Sequence, residues 1–91
     1  SMPGRKEAFG NILSSRDKGV FTFKIVKRTT AKMKKALYDY IDGLFDLNTA
    51  KVYLKRQKYE RIQGINSIQD LDEFITAKMK GRRQLFFRIS R

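Results

Sequence analysis

The chain has 91 residues, no cysteine and no histidine, and its 21 Lys and Arg against nine Asp and Glu give a net charge of +12. This composition excludes a disulfide framework, a thiolate zinc site and imidazole catalysis, and it makes a reducing intracellular compartment the natural setting. One small domain with a polyanionic partner is expected, and charge alone does not choose among nucleic acid, anionic lipid and acidic protein.

The first residues are expected to be a flexible lead-in, residues 1–8, which contains the only proline. Ser1 and Met2 are typical of a cloning remnant, which suggests that the chain is one domain of a larger protein. Residues 9–91 are predicted to form a single domain. No apolar run is long enough to span a membrane, so no membrane span is predicted.

A hairpin is predicted to open the domain. Residues 9–15 contain a short apolar run that indicates a strand, and residues 16–19 combine Asp and Gly, which favour a turn. Residues 20–27 alternate apolar and polar side chains with a period of two, which is typical of a strand with one buried face. Phe21, Phe23 and Ile25 are expected to face a helix.

That helix is predicted within residues 29–47 and is the element around which the chain is organised. Its apolar residues recur at intervals of three and four and therefore share one face, and Thr29 or Thr30 can cap its start. A helix of roughly 16 residues with one apolar stripe needs a surface to bury that stripe, and a small sheet is the expected surface. The stripe comprises Met33, Leu37, Tyr40, Ile41 and Leu44.

The charges of this helix oppose its dipole. Three lysines crowd its first turns and Asp39, Asp42 and Asp46 follow, whereas the dipole favours anions at the start and cations at the end. Two interpretations remain open. Either the charges are an ordinary solvated face, or the basic start of the helix faces an acidic partner.

The second half is predicted to contain two more strands, a short helix and a last strand. Residues 51–57 form a strand, and the cation-rich residues that follow could complete a second hairpin before a turn at Gln63 and Gly64. Ser67 can cap a helix whose third residue is Asp70, in the manner of a capping box. Residues 84–89 close the chain as a strand, in which Phe86 lies on the face opposite the core, where it either packs at an edge or makes a contact.

This order of elements predicts an α+β fold. We expect a ubiquitin-like β-grasp roll, in which a mixed four- or five-stranded sheet is covered by one long helix and one short helix, and the last strand returns beside the first. The alternative with the same elements is a ferredoxin-like βαββαβ sandwich.

Residues 12 to about 71 contain in order the apolar pair Ile12 and Leu13, the basic loop 16–19, the apolar strand 21–26, the Lys-Arg-Thr step 27–29, and the helix with spaced Leu and Asp. In these features the segment resembles a doublecortin domain. Residues 67–71 are similar to that family's small helix after its third strand. Residues 58–64 stand imperfectly in place of the family's Tyr-Thr-Leu-Asp-Gly hairpin. A basic PB1 domain, another ubiquitin-like roll, fits the element order nearly as well.

The resemblance to doublecortin domains implies binding to microtubules, and therefore a cytoplasmic, cytoskeletal location. The surface for tubulin or another acidic protein would be formed by cations, whose attraction to an anionic partner weakens with salt. The candidate partner-binding residues are Lys27, Arg28, Lys32, Lys34, Lys35, Lys55, Arg56, Lys58, Arg61, Arg82 and Arg83.

The sequence also bears on two other classes of function. Phe86, Phe87 and Tyr59 lie near cations and could stack nucleic-acid bases, although no known nucleic-acid motif accompanies them, and the phenylalanines fit core positions better. An enzyme is not expected, because no nucleophile and base can be paired without His or Cys. The helical carboxylates Asp39, Asp42 and Asp46, or Asp70, Asp72 and Glu73, could meet Mg²⁺, but such spacing is typical of a solvent face, and no metal or cofactor is predicted.

Overall fold

The computed structural model describes residues 13–15 and 19–91, so the lead-in expected at 1–8 and most of the first turn lie outside the described residues. The domain is α+β, as predicted. Its elements in chain order are β1 (Leu13–Ser15), β2 (Val20–Val26), α1 (Ala31–Leu44), β3 (Lys51–Lys55), β4 (Tyr59–Ile62), α2 (Ile68–Met79) and β5 (Gln84–Ser90).

The five strands form one sheet in the order β1-β2-β5-β3-β4, and every neighbouring pair is antiparallel. The expected mixed sheet is therefore wrong. The last strand was expected beside the first, but β5 lies between β2 and β3, with Phe87 opposite Phe23. A β-grasp roll is not confirmed. From β2 onward the elements follow the βαββαβ order that was weighed as the alternative.

One face of the sheet carries the core, and both helices contribute to it. Phe23 and Phe87 are fully buried at its centre, with their rings stacked and their centroids 5.2 Å apart. The predicted inward residues of β2, Phe21, Phe23 and Ile25, are all buried, which confirms the period-two interpretation. The same alternation buries every second residue of β3 and β5. The helices cover them with Leu37, Tyr38, Ile41, Leu71 and Ile75.

The helix caps were correctly predicted. Thr30 caps α1, because its hydroxyl accepts a hydrogen bond from the Met33 backbone N–H (3.2 Å), and the neighbouring Thr29 is buried and bonds the Val26 N–H instead. Ser67 caps α2 by accepting from the Asp70 N–H (3.1 Å). The helices contain 14 and 12 residues, so a long helix paired with a short one is not confirmed. No helix in the described part of the chain is long and apolar enough to cross a bilayer.

Candidate functional site

Three connections meet at one end of the sheet. The end of β2 pairs with the start of β5 through Val26 and Gln84, and the Lys27 N–H donates to the Arg83 carbonyl oxygen (2.9 Å). Because β3 runs antiparallel to β5, the turn between β3 and β4 lies at this same end. The connections β2–α1, β3–β4 and α2–β5 are therefore neighbours in space, although they are far apart in sequence.

These connections, together with Lys55 at the end of β3, carry seven of the eleven predicted cations. Each of the seven is exposed, and none forms an ion pair with another described residue. The three connections contain no Asp or Glu, and Lys80, which the prediction omitted, adds an eighth exposed cation. We call this cluster the basic end; it comprises Lys27, Arg28, Lys55, Arg56, Lys58, Lys80, Arg82 and Arg83.

Local backbone geometry holds the cations of the basic end in place. Gly81 has a φ of +77°, a left-handed conformation that glycine adopts without strain and that turns the chain from α2 into β5. The turn after β3 is tight, because the Arg56 N–H donates to the Lys58 carbonyl oxygen (3.1 Å). An open depression of about 590 Å³ is lined by Val26, Lys27, Arg28 and Arg83. Three of the eight cations, Lys27, Arg28 and Arg83, thus line a concave surface at the end of the sheet.

The other four predicted cations lie elsewhere. Lys32 is exposed in the first turn of α1, next to the basic end, whereas Arg61 lies on β4. Lys34 and Lys35 line a cleft between the two helices. Lys35 is paired within its own helix, with its Nζ 3.1 Å from the Asp39 carboxylate, so its charge is compensated locally. The predicted set is therefore not one continuous surface.

The cleft between the helices has a volume of about 490 Å³ and contains the Tyr38 hydroxyl. This buried hydroxyl makes no hydrogen bond of good geometry with the described residues. Burial first, and then the neighbouring Asp72 carboxylate, raise the pKa of Tyr38 far above its ordinary value. The hydroxyl is therefore a neutral group near a carboxylate, and it supplies neither a nucleophile nor a base at neutral pH.

The face of the sheet opposite the helices, here called the open face, presents two rows of cations and aromatic rings. Their alternation follows from the strand register, because directly opposed residues point to the same side. The row nearer the basic end is Lys24, Phe86, Lys55 and Tyr59, and the next is Thr22, Arg88, Tyr53 and Arg61.

Sequence reasoning missed three members of these rows: Lys24, Tyr53 and Arg88. A signal was present in β3, β4 and β5, in which a cation and an aromatic ring stand two residues apart, as do Tyr53 and Lys55, or Phe86 and Arg88. The order of the strands was needed to bring these pairs together. Phe87, which was considered for base stacking, is fully buried in the core on the other side of the sheet.

No three carboxylates among the described residues are grouped so that they could hold a metal ion. Comparisons with protein-family models, with curated proteins and with solved structures found no match to this chain.

Proposed function

We propose that this domain is a non-enzymatic binding module that docks an acidic protein surface through its basic end. The observation that carries this proposal is the convergence of three connections, rich in cations and free of carboxylates, at one end of the sheet. The doublecortin resemblance makes the microtubule lattice the first partner to test. That resemblance lies in the matched residues. The strand order does not support it, because β5 pairs with β2 and not with the first strand, where the expected roll would place it.

The chemistry of the basic end suits such a partner. Exposed cations without local counter-charges produce a positive potential that speeds the encounter with an acidic surface. Arginine adds a planar fork of donors that binds carboxylates in a bidentate manner, and Arg28, Arg56, Arg82 and Arg83 provide four of them. Because these side chains are solvated, the attraction should fall steeply as salt rises.

The test is co-pelleting with polymerised tubulin at low and moderate salt. The double variants Lys27→Glu/Arg28→Glu and Arg82→Glu/Arg83→Glu should each weaken binding by about tenfold or more at low salt, since each halves the net positive charge of the basic end. The matched control, Lys51→Glu/Arg61→Glu, makes the same change of charge away from the basic end, at two exposed cations that form no ion pair with the described residues, and should bind nearly as the parent does.

Two results would overturn the proposal. One is the absence of pelleting at low salt together with no binding of an acidic PB1 domain. The other is an equal loss in the control and in the basic-end variants, because that would mean that net charge acts without a site. Binding of an acidic PB1 domain together with no binding of tubulin would keep the acidic-protein proposal and replace the partner.

A further inference from the structure

The open face combines positive charge with aromatic rings and carries no carboxylate on its described strands. Its cations come from four strands, and Glu60, the one acidic strand residue, lies between Tyr59 and Arg61 and therefore points to the opposite side. The cations of this face are Lys24, Lys51, Lys55, Arg61 and Arg88.

The aromatic rings lie between these cations. The Arg88 guanidinium is 3.8 Å from the centre of the Tyr59 ring, and the Lys24 ammonium is 5.9 Å from that of Phe86. Tyr53 stands between Arg88 and Arg61 in the strand register. All three rings are half-buried, so part of each remains accessible at the surface.

A shallow depression follows the middle of this face. Its volume is about 330 Å³, and its lining includes Tyr53, Tyr59 and Arg88. No described helix packs there, because the buried residues of α1 and α2 belong to the core on the other side of the sheet. The face therefore offers both a flat platform and a recess.

From this arrangement we infer that the open face is a binding site for single-stranded nucleic acid. Unstacked bases lie against Tyr53 and Phe86, and Lys24, Lys55 and Arg61 contact the phosphates between them. A single strand fits this surface better than a duplex, because the bases of a duplex are already stacked on one another. It also fits better than an acidic protein, whose carboxylates need cations and gain little from the rings.

This inference does not rest on docking at the basic end, since it uses a different face, and among the residues that carry it Lys55 alone also belongs to the basic end. The same cation and ring pairs also stabilise the sheet through cross-strand contacts. The experiment must therefore separate a platform that binds a ligand from one that only supports the fold.

We would titrate the full chain into fluorescein-labelled oligo-dT and oligo-U of about 12 nucleotides, a length within the range of single-strand site sizes, and into a duplex of equal length. Fluorescence anisotropy should show both single strands bound more tightly than the duplex. Phe86→Leu and Tyr53→Leu should each weaken single-strand binding at least about fivefold, the loss expected when one stacking ring is removed. Phe86→Tyr should retain it.

The chain contains a matched control. Phe74 and Lys78 form a similar pair on α2, with the ammonium 5.7 Å from the centre of the ring, but away from the open face. Phe74→Leu and Lys78→Gln should leave binding unchanged, whereas Lys24→Gln should weaken it and reduce its dependence on salt. Thermal melts of all variants report any effect on the fold.

The inference is overturned if the duplex binds as tightly as the single strands, or if Phe74→Leu and Phe86→Leu weaken binding equally. No binding of either oligonucleotide at low salt would overturn it as well. None of these results bears on tubulin pelleting, because that assay uses other variants and another partner.

Discussion

The two ends of the sheet differ in what their charged side chains bond to. At the far end from the basic end, side chains are bonded to backbone: Asp46 accepts from the Asn48 N–H, Asp70 accepts from the Asn66 N–H, and Arg91 donates to the Leu44 carbonyl. At the basic end the charged side chains make no hydrogen bond or ion pair with the described residues. The far end uses charged side chains to fix loops, whereas the basic end fixes its loop with the uncharged Thr29 and Thr30 and leaves its cations available to a partner.

Both ends of the sheet are supported by the same core, and the largest effect on stability is expected from Phe87→Ala. Phe87 is fully buried in the central strand, and its removal leaves a cavity that the neighbouring strands cannot fill. We expect a loss of about 3–5 kcal/mol in the free energy of unfolding, in one transition. Urea unfolding followed by far-UV circular dichroism measures it.

Phe86→Ala is the matched control, because Phe86 is the adjacent residue but lies half-buried on the open face. Its loss should be less than half that of Phe87→Ala. Two separate unfolding transitions in either variant would show that the ends are not supported by a common core.

The second test compares Ser67, whose side chain caps α2, with Arg83, whose side chain forms no ion pair with the described residues. Ser67→Ala removes the cap of α2 and leaves the Asp70 N–H without its partner, so it should cost about 1 kcal/mol. Arg83→Ala, at the basic end, should change stability by less than about 0.5 kcal/mol, as surface substitutions usually do. Equal losses in the free energy of unfolding of the two variants, measured in the same urea experiment, would mean that the two ends do not differ in how their side chains support the fold.

The pattern of side chains along the strands predicted which residues face the core, and the caps at Thr30 and Ser67 were predicted from side-chain chemistry alone. These features are local, because they depend on residues two to four positions apart. The strand order is not local. Period two tells which side Phe23 or Phe87 faces but not which strand lies beside it, so the place of β5 was missed.

The same limit applies to the candidate sites. Dense cations in the turns were recognised as candidate contacts, but their meeting at one end depends on which strands pair. The rows of the open face were missed because Lys24, Tyr53 and Arg88 come from three strands, and each alone is an ordinary outward residue. The sequence therefore identified individual candidate residues, but it did not predict which of them lie side by side in the fold.

A third test concerns the start of α1, where Lys32 lies in a first turn without any acidic residue. Lys32→Glu should stabilise the domain by about 0.3–1 kcal/mol, because it places a negative charge at the positive end of the helix dipole. It should also weaken tubulin binding, since it removes a cation beside the basic end. The opposite signs of the two effects are the informative result, and Lys32→Gln should give a smaller change in each.

If Lys32→Glu stabilises the domain but leaves tubulin binding unchanged, Lys32 lies outside the docking surface. That surface is then limited to the cations of the basic end. A loss of stability would mean that the solvated lysine contributes more to the helix than the dipole argument allows.

The smallest effect is expected between the two ends, at Tyr38. Removing a buried hydroxyl that lacks a good hydrogen bond costs little, so Tyr38→Phe should change stability by less than about 0.5 kcal/mol at neutral pH. Alkaline pH should separate the two proteins. The folded state holds the pKa of Tyr38 above its unfolded value of 10.0. Above pH 10.0 the unfolded chain therefore releases the proton while the folded chain retains it. The contribution of Tyr38 to stability is complete below pH 10.0 and is lost as the pH rises further.

Stability should therefore fall more steeply above pH 10.0 in the parent than in Tyr38→Phe, as urea unfolding at several alkaline pH values would show. The other titrating groups are the same in both proteins, so the difference between the two slopes isolates Tyr38. Parallel slopes would mean that the hydroxyl reaches water and that the helices do not close over it. Binding at the basic end should be unaltered in this variant, because the cleft contributes none of the cations that converge there.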